Sequence, residues 1–284
     1  VNTPACLILT ILASVLAPRL GSQTVTVGTL PAEILESPLQ SAPADNRGRQ
    51  ESIRTLFSNA GCEPAYLEER KLKHSKRSNV ICTLPAQVSG ASVPGEIVVG
   101  AHFDHVQAGA GIIDNWSGAA LLPGLFESLK IQPRQHTFIF ISFAEEETGL
   151  NGSRDYANSL SEDERASVRA MVNIDSVAAG TTAVWVSRAD KELVRAAAAV
   201  AGSLNIPLER VDVDRVGDSD SASFKALRIP VIDFHSLHSD SLHIIHTRND
   251  NLSAVKLAAY AETFRVISTF LGFIDQKLPQ RDFR

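Results

Sequence analysis

The chain has 284 residues, 44% of them hydrophobic and 21% charged, with a formal net charge of -5. That is the balance of a globular chain long enough to bury one substantial core. No basic stripe is present, which argues against nucleic acid as a partner; the one basic cluster, Lys71 to Arg77, reads as the solvated tip of a hairpin.

Ala5 to Ala17 (ACLILTILASVLA) is an apolar run of thirteen residues. A helix needs about 20 residues to span a bilayer, so no stable membrane span is expected. The run fits the apolar core of a secretory signal, with small Ala13 and Ala17 near its end. No Lys or Arg precedes it and Pro18 follows Ala17, so a buried helix is the competing reading. Residues 1–22 are taken as a signal segment, which makes the protein exported, to a periplasm or the exterior. Residues 23–44 read as an irregular, Pro-punctuated lead-in, and 45–284 as a single domain.

Of three cysteines, Cys6 falls in the expected signal. Cys62 and Cys82 are an even pair, which permits one disulfide in an exported protein. A hairpin with its tip near Ser75 places Cys82 opposite a residue near Glu68, not Cys62, so the pairing stays open. Neither cysteine has zinc-type spacing.

Asp45 or Asn46 can cap a helix running to Ala60, with Ile53, Leu56 and Phe57 on one face and Gly61 ending it. Strands follow at Pro64–Lys71 and Asn79–Leu84, then a polar turn from Pro85 to Pro94, then a short apolar strand, Glu96–Ala101, that stops at His102. Asp114 to Ile131 has helical spacing of leucines, with Pro123 inside it. Thr137 to Ser153 (TFIFISFAEEETGLNGS) is the centre of the chain: a buried strand that breaks into Glu145, Glu146 and Glu147. Leu150–Leu160 reads as a helix, and Ser161 with Glu164 forms a capping box for the next. Strands are expected at Ala170–Ile174, Ala183–Val186 and Pro230–Phe234. Helices are expected at Lys191–Leu204, Ser221–Leu227 and Asn251–Gln276. The alternation predicts a three-layer α/β/α sandwich around a mixed, centrally parallel sheet, with the early hairpin antiparallel at its edge.

Three apolar runs end in a candidate ligand: EIVVGA at His102, TFIFISFA at the glutamates, AMVNI at Asp175. Ile244–Ile245 precedes His246, and Asp114 opens a helix. Taken singly, each is more often a solvated or hydrogen-bonded residue. Ligands bind beyond the carboxyl ends of strands in such sheets, so convergence on one edge changes the odds. Histidine with carboxylate suits zinc and its relatives. Two histidines and three carboxylates exceed one tetrahedral site and suit two ions about 3.5–4 Å apart.

The motifs GAHFDH (Gly100–His105), GIIDNWSGAALL (Gly111–Leu122), FAEEETGLNGS (Phe143–Ser153), VNIDS (Val172–Ser176), SDSASF (Ser219–Phe224) and IHTRND (Ile245–Asp250) resemble, in order and content, the exported di-zinc aminopeptidases of the bacterial leucyl aminopeptidase and aminopeptidase Y type. That family also includes the glutaminyl cyclases. The resemblance spans about Glu51 to Phe273. It implies that His102 and Asp175 complete one zinc site, Glu147 and His246 the other, and that Asp114 bridges them. It implies Glu146 as the general base, Asp104 as a partner buttressing His102, and Asp250 behind His246. Glu145 falls where relatives carry a small residue and is not a ligand. The function implied is a two-zinc hydroxide mechanism removing N-terminal residues from peptides with a free N-terminus.

His235, His238 and His243 are set aside as loop or pocket residues because Thr247 and Asp250 follow His246 at the family's spacing. Asp220 reads as structural, with a pocket role open. Two departures stand out. Ile113 precedes Asp114 where relatives carry an aspartate. Arg215, Val216 and Gly217 stand where some relatives place a tyrosine to stabilise the oxyanion, so no oxyanion residue is assigned. Two rivals remain: a glutaminyl-peptide cyclotransferase with one zinc on the same scaffold, and a non-catalytic binding module of that fold.

Overall fold

Alternate residues of the central strand β4 (Thr137–Phe143) enter different cores. Phe138 and Phe140 join one; Ile139, Ile141 and Phe143 join the other. Side chains alternate across a strand, so a strand apolar on both faces needs cover on both. The computed structural model describes residues 32–87, 94–215 and 217–279 and provides that cover. On one face lie α2 (Asn46–Asn59), α3 (Ser117–Lys130), α6 (Lys191–Leu204) and α8 (Leu257–Lys277), contributing Phe57, Leu121, Ala197 and Phe270. On the other lie α4 (Asn151–Ser159) and α7 (Ser221–Lys225), which contribute Tyr156 and Phe224. The short α5 (Glu162–Ser167) starts with the expected Ser161–Glu164 capping box.

The sheet has eight strands. The others are β1 (Leu67–Lys71), β2 (Ser78–Leu84), β3 (Glu96–His102), β5 (Val168–Ile174), β6 (Ala183–Val184), β7 (Glu209–Arg210) and β8 (Val231–His235). Their order is β1-β2-β4-β3-β5-β8-β6-β7. The run β4-β3-β5-β8 is parallel, and the β1–β2 hairpin joins β4 antiparallel. This is the three-layer, mixed and centrally parallel α/β sandwich expected.

Local differences have local causes. Within the lead-in expected to be irregular, Ala32–Gln40 forms a helix, α1. Leu35 and Leu39, four residues apart, are buried in the larger core, and Trp116 Nε1 donates to Pro38 O at 2.8 Å. An apolar i,i+4 pair with a surface to pack on outweighs the proline signal. The expected signal segment lies outside the described residues. α3 begins at Ser117, not Asp114, because Asp114 and Asn115 have non-helical backbone angles. The C-terminal helix starts at Leu257, after a short 3-10 turn at Leu252–Ala254. By length and composition α8 could cross a membrane, but Phe264, Ile267, Phe270 and Leu271 are buried against the sheet layer, so it is a core helix.

Cys62 and Cys82 are bridged, with Cα atoms 6.3 Å apart. Leu67, not Glu68, faces Cys82 in the ladder. The 3-10 turn at Pro64–Tyr66 folds the chain back, so Cys62 reaches Cys82 from outside the pairing.

Candidate metal centre

His102 is the last residue of β3 and pairs in register with Phe143, the last of β4. Asp175 follows β5, the other neighbour of β3. The glutamates follow β4. Three adjacent parallel strands therefore deliver their terminal side chains to one edge.

The loops bring Asp114 and His246 to the same place. His102 Nε2 lies 3.3 Å from Asp114 Oδ1, 3.5 Å from Asp175 Oδ1 and 3.9 Å from Glu146 Oε2. His246 Nε2 lies 3.1 Å from Asp114 Oδ2 and 3.0 Å from Glu147 Oε2. The two oxygens of Asp114 thus face opposite partners. Two clusters result, His102–Asp114–Asp175 and Asp114–Glu147–His246, each with ligand atoms within 4.8 Å of one another. The donors are imidazole nitrogens and carboxylate oxygens, the set that zinc takes. Glu147 Oε1 is buried with no hydrogen-bond partner, which a cation would supply. The residues fit a metal-binding site.

Carboxylates hold the loops by their amides. Asp104 accepts from Glu146 N at 3.0 Å and Glu147 N at 3.2 Å, with Oδ1 3.7 Å from His102 Nδ1. His102 Nδ1 is closer, at 3.1 Å, to the backbone oxygen of Asp104. Asp104 therefore positions the glutamate turn more than the imidazole. Asp250 accepts from Ile113 N at 2.6 Å and Asp114 N at 3.1 Å, so it backs the Asp114 turn and not His246 as expected. In that turn the Asp114–Asn115 peptide is cis. Asn115 accepts from Gly118 N and Ser176 N and donates to Ile174 O, tying the turn to the end of β5. A side chain at Gly118 would collide with Asn115 Oδ1 and Ile174 O, so glycine is required there.

Two supports were missed in the sequence. Asn79 of β2 accepts from Ala144 N at 3.0 Å and donates to Gly152 O at 2.9 Å, closing the neck of the glutamate turn. Arg49 of α2 is fully buried and donates to the backbone oxygens of Phe103, Ala110 and Gly111 behind the cluster. Burial pulls its pKa down to about 10, opposed by the carboxylates of Asp250, Asp104, Asp114 and Glu147.

The charge balance shows what the site lacks. Burial, with Asp220, Asp175 and Asp114 nearby, pushes Glu146 up to about 10 against the pull of His102. Burial and Asp114 raise Glu147 to about 7. Despite its own burial, Asp114 is held well below the carboxylate range by the two imidazoles. Its hydrogen bond to Asp114 lifts His246 to about 9. Carboxylates outnumber cations here; a divalent ion would bring the raised values of Glu146, Glu147 and His246 down and would hold Asp114 ionised. Asp220 is fully buried, with neither carboxylate oxygen in hydrogen-bond geometry; burial raises it to about 7. The neighbouring hydroxyl of Ser153 lies 2.9 Å from Ser223 Oγ instead.

The remaining candidates lie apart from the cluster. His235 Nε2 lies 3.0 Å from Val211 O, and its Nδ1 accepts from Leu237 N, so it walls the cavity as a neutral ring. His238 faces Glu209 Oε2 at 3.4 Å and Thr181 O at 3.1 Å. The cavity over the cluster has a volume of about 310 Å³ and an apolar wall of Trp185, Val213, Phe234, Leu237 and Ile245. No tyrosine is among its described lining residues; Tyr260 donates to Ser117 O and Tyr156 packs on Phe224.

The sequence profile of peptidase family M28 matches residues 79–271. Leupeptin-inactivating enzyme 1 of Streptomyces exfoliatus is 31% identical over 151 residues, covering 52% of this chain and 34% of that protein. The aminopeptidase from Aneurinibacillus sp. strain AM-1 superposes with a TM-score of 0.62 at 27% identity, over 73% of this chain and 50% of that one. A Porphyromonas gingivalis glutaminyl cyclase shares the fold, with a TM-score of 0.65 at 17% identity over 84% of this chain and 95% of that one. The chain thus spans about a third to a half of the length of the first two.

Proposed function

The chain belongs to peptidase family M28, and from that premise we propose that it is an exported aminopeptidase using two zinc ions to remove N-terminal residues from peptides. The observation that carries this reading is the orientation of Asp114, whose oxygens face His102 and His246 separately. His102 and Asp175 would hold one ion, Glu147 and His246 the other, with Asp114 shared between them. When bound, the ions supply Lewis acidity, which acidifies water and polarises a carbonyl.

The chain's own residues do the rest. Glu146, beside His102 and outside both ligand groups, is the base that takes the proton of the attacking water. It returns that proton to the nitrogen of the leaving amine. Asp104 fixes Glu146 through its amide, so the carboxylate stays free for this work. The carboxylates of the cavity favour a free ammonium, and the Trp185–Phe234 wall favours an apolar first side chain. The Cys62–Cys82 bridge supports export, because disulfides persist in oxidising compartments.

The test is metal analysis paired with a panel of aminoacyl-p-nitroanilides, with and without chelator. Glu146→Gln is expected to lower kcat by about 10² to 10⁴ while zinc content stays near two per chain. Undiminished turnover in that variant removes Glu146 as base. A second reading, glutaminyl cyclisation with one zinc, is favoured by the near full-length match to a cyclase of the same fold. One ion per chain, with pyroglutamate formed from a glutaminyl peptide, would replace the first reading. Absence of both activities would leave a binding module.

A further inference from the structure

Glu145 is the member of the glutamate run that faces away from the ligand clusters. Its carboxylate accepts from Ser75 Oγ and, at 3.2 Å, from Asn151 Nδ2. Ser75 lies in the turn joining β1 and β2, so this contact staples the hairpin tip to the turn carrying Glu146 and Glu147. Asp155 of α4 adds a second tie, accepting from Lys73 N at 3.3 Å. Between the hairpin tip and α4 lies a second cavity, about 380 Å³ in volume, walled by Leu72, His74, Asn151, Arg154 and Asn158 among others.

Arg154 belongs to the walls of both cavities. Among the described residues it is the one Lys or Arg lining the active-site cavity, whose other ionisable groups are carboxylates and imidazoles. No described side chain pairs with its guanidinium. For a peptide whose amino end sits among the carboxylates, Arg154, which borders both cavities, is the Lys or Arg at hand.

We propose that the hairpin-tip cavity receives the leaving side of the substrate and that Arg154 binds a carboxylate there, on the C-terminus of a short peptide or on an acidic side chain. The proposal rests on the aminopeptidase reading, and under it Glu145 serves to fix the hairpin wall of this subsite. A guanidinium takes a carboxylate through paired hydrogen bonds, which an amide cannot reproduce. Arg154 is exposed, so the gain is bounded at about fivefold, the upper range for a solvated charge pair.

The experiment compares KM for Leu-Gly and Leu-Gly-Gly with KM for their C-terminal amides, and Leu-Asp-amide with Leu-Asn-amide. The carboxylate form is expected to bind about fivefold better, less so at high salt. Arg154→Ala should bring the ratio to about one and Arg154→Lys retain part of it. Glu145→Ala, which frees the hairpin tip, should reduce it. A gain in the free-acid pairs alone assigns the terminal carboxylate; a gain in the aspartyl pair assigns an acidic side chain. A wild-type ratio near one, or a ratio indifferent to Arg154→Ala, overturns the proposal. Equilibrium binding of the same pairs to the Glu146→Gln chain, with and without Arg154→Ala, decides the subsite without turnover. Failure to hydrolyse leucine p-nitroanilide then counts against the aminopeptidase reading alone.

Discussion

The two halves of the candidate metal centre are built on different foundations. His102 and Asp175 stand at the ends of neighbouring parallel strands. The chain just beyond those ends stays in the ladder, with Phe103 N bonded to Phe143 O and Asp175 N to Phe234 O. The His102 side chain is 1% exposed. His246 sits on a loop in the left-handed region, with φ 56, and its side chain is 49% exposed. Glu147 follows a turn held by side chains. The strand half inherits its geometry from the sheet; the loop half depends on Asp104 and Asp250, each binding two amides. A rigid half and a tethered half should therefore respond differently to perturbation, and only Asp114 belongs to both.

The largest effect is expected at that shared residue. Under the two-ion reading, Asp114→Ala should remove both ions together and lower kcat/KM by about 10² to 10³ or more, the scale of losing electrostatic stabilisation in a buried site. Elemental analysis checks it. Retention of one tightly held equivalent would show that Asp114 is not common to the halves.

Next come the tethers. Asp250→Asn replaces a two-oxygen acceptor with a group that has one, loosening the Asp114 turn. Metal affinity should fall by about 10- to 100-fold, as when an outer partner of a ligand is lost. Asp104→Asn should act on kcat as well, because the turn it holds carries Glu146. Equal effects of the two variants on affinity and on kcat would break the assignment of separate tethers. Dialysis against a weak chelator then sharpens the contrast: under the two-ion reading, zinc should leave in two phases, the loop ion first. A single phase would mean that the halves are coupled as one unit.

How far the sequence foretells each half follows the same division. Strands that end abruptly at His102 and Asp175 are legible, because a buried apolar run cannot continue into an ionisable group without a reason. The chemical type of Glu147 and His246 is equally legible, and the structure brings both to Asp114. The supports are not. Arg49 and Asn79 are polar residues in ordinary helix and strand patterns. Their work is hydrogen bonding to backbone far away in the chain, which periodicity does not encode. Asp114 to Trp116 reads as the first turn of α3, since the helical pattern runs on from it without a break. Its non-helical angles come from Asp250 and Asn115, tertiary contacts invisible to local spacing. α1 was hidden for the opposite reason: prolines suggest a break that the buried pair Leu35 and Leu39 overrides.

The smallest effect separates the halves most cleanly. Thr247 Oγ1 lies 2.9 Å from Ile244 O and 3.0 Å from His243 O, and accepts from Asn249 N at 3.1 Å. It knits the loop that presents His246, and its hydroxyl bonds among the described residues stay within that loop. Thr247→Val keeps the shape and removes these bonds, at a cost of about 1 kcal/mol, or about fivefold in the population of the binding-ready loop. Under the two-ion reading, the loop ion should bind that much more weakly, with the strand ion unchanged. Ser176 is the matching residue on the other side, donating to Asp175 Oδ1 at 3.0 Å. Ser176→Ala should leave Asp175 in place, because the backbone ladder holds it whether or not the hydroxyl is there. Titration of zinc into each variant measures both sites. If Ser176→Ala weakens its ion as much as Thr247→Val weakens the other, the sheet confers no special rigidity on its half, and the contrast between strand-built and loop-built ligands fails at the level of single hydrogen bonds.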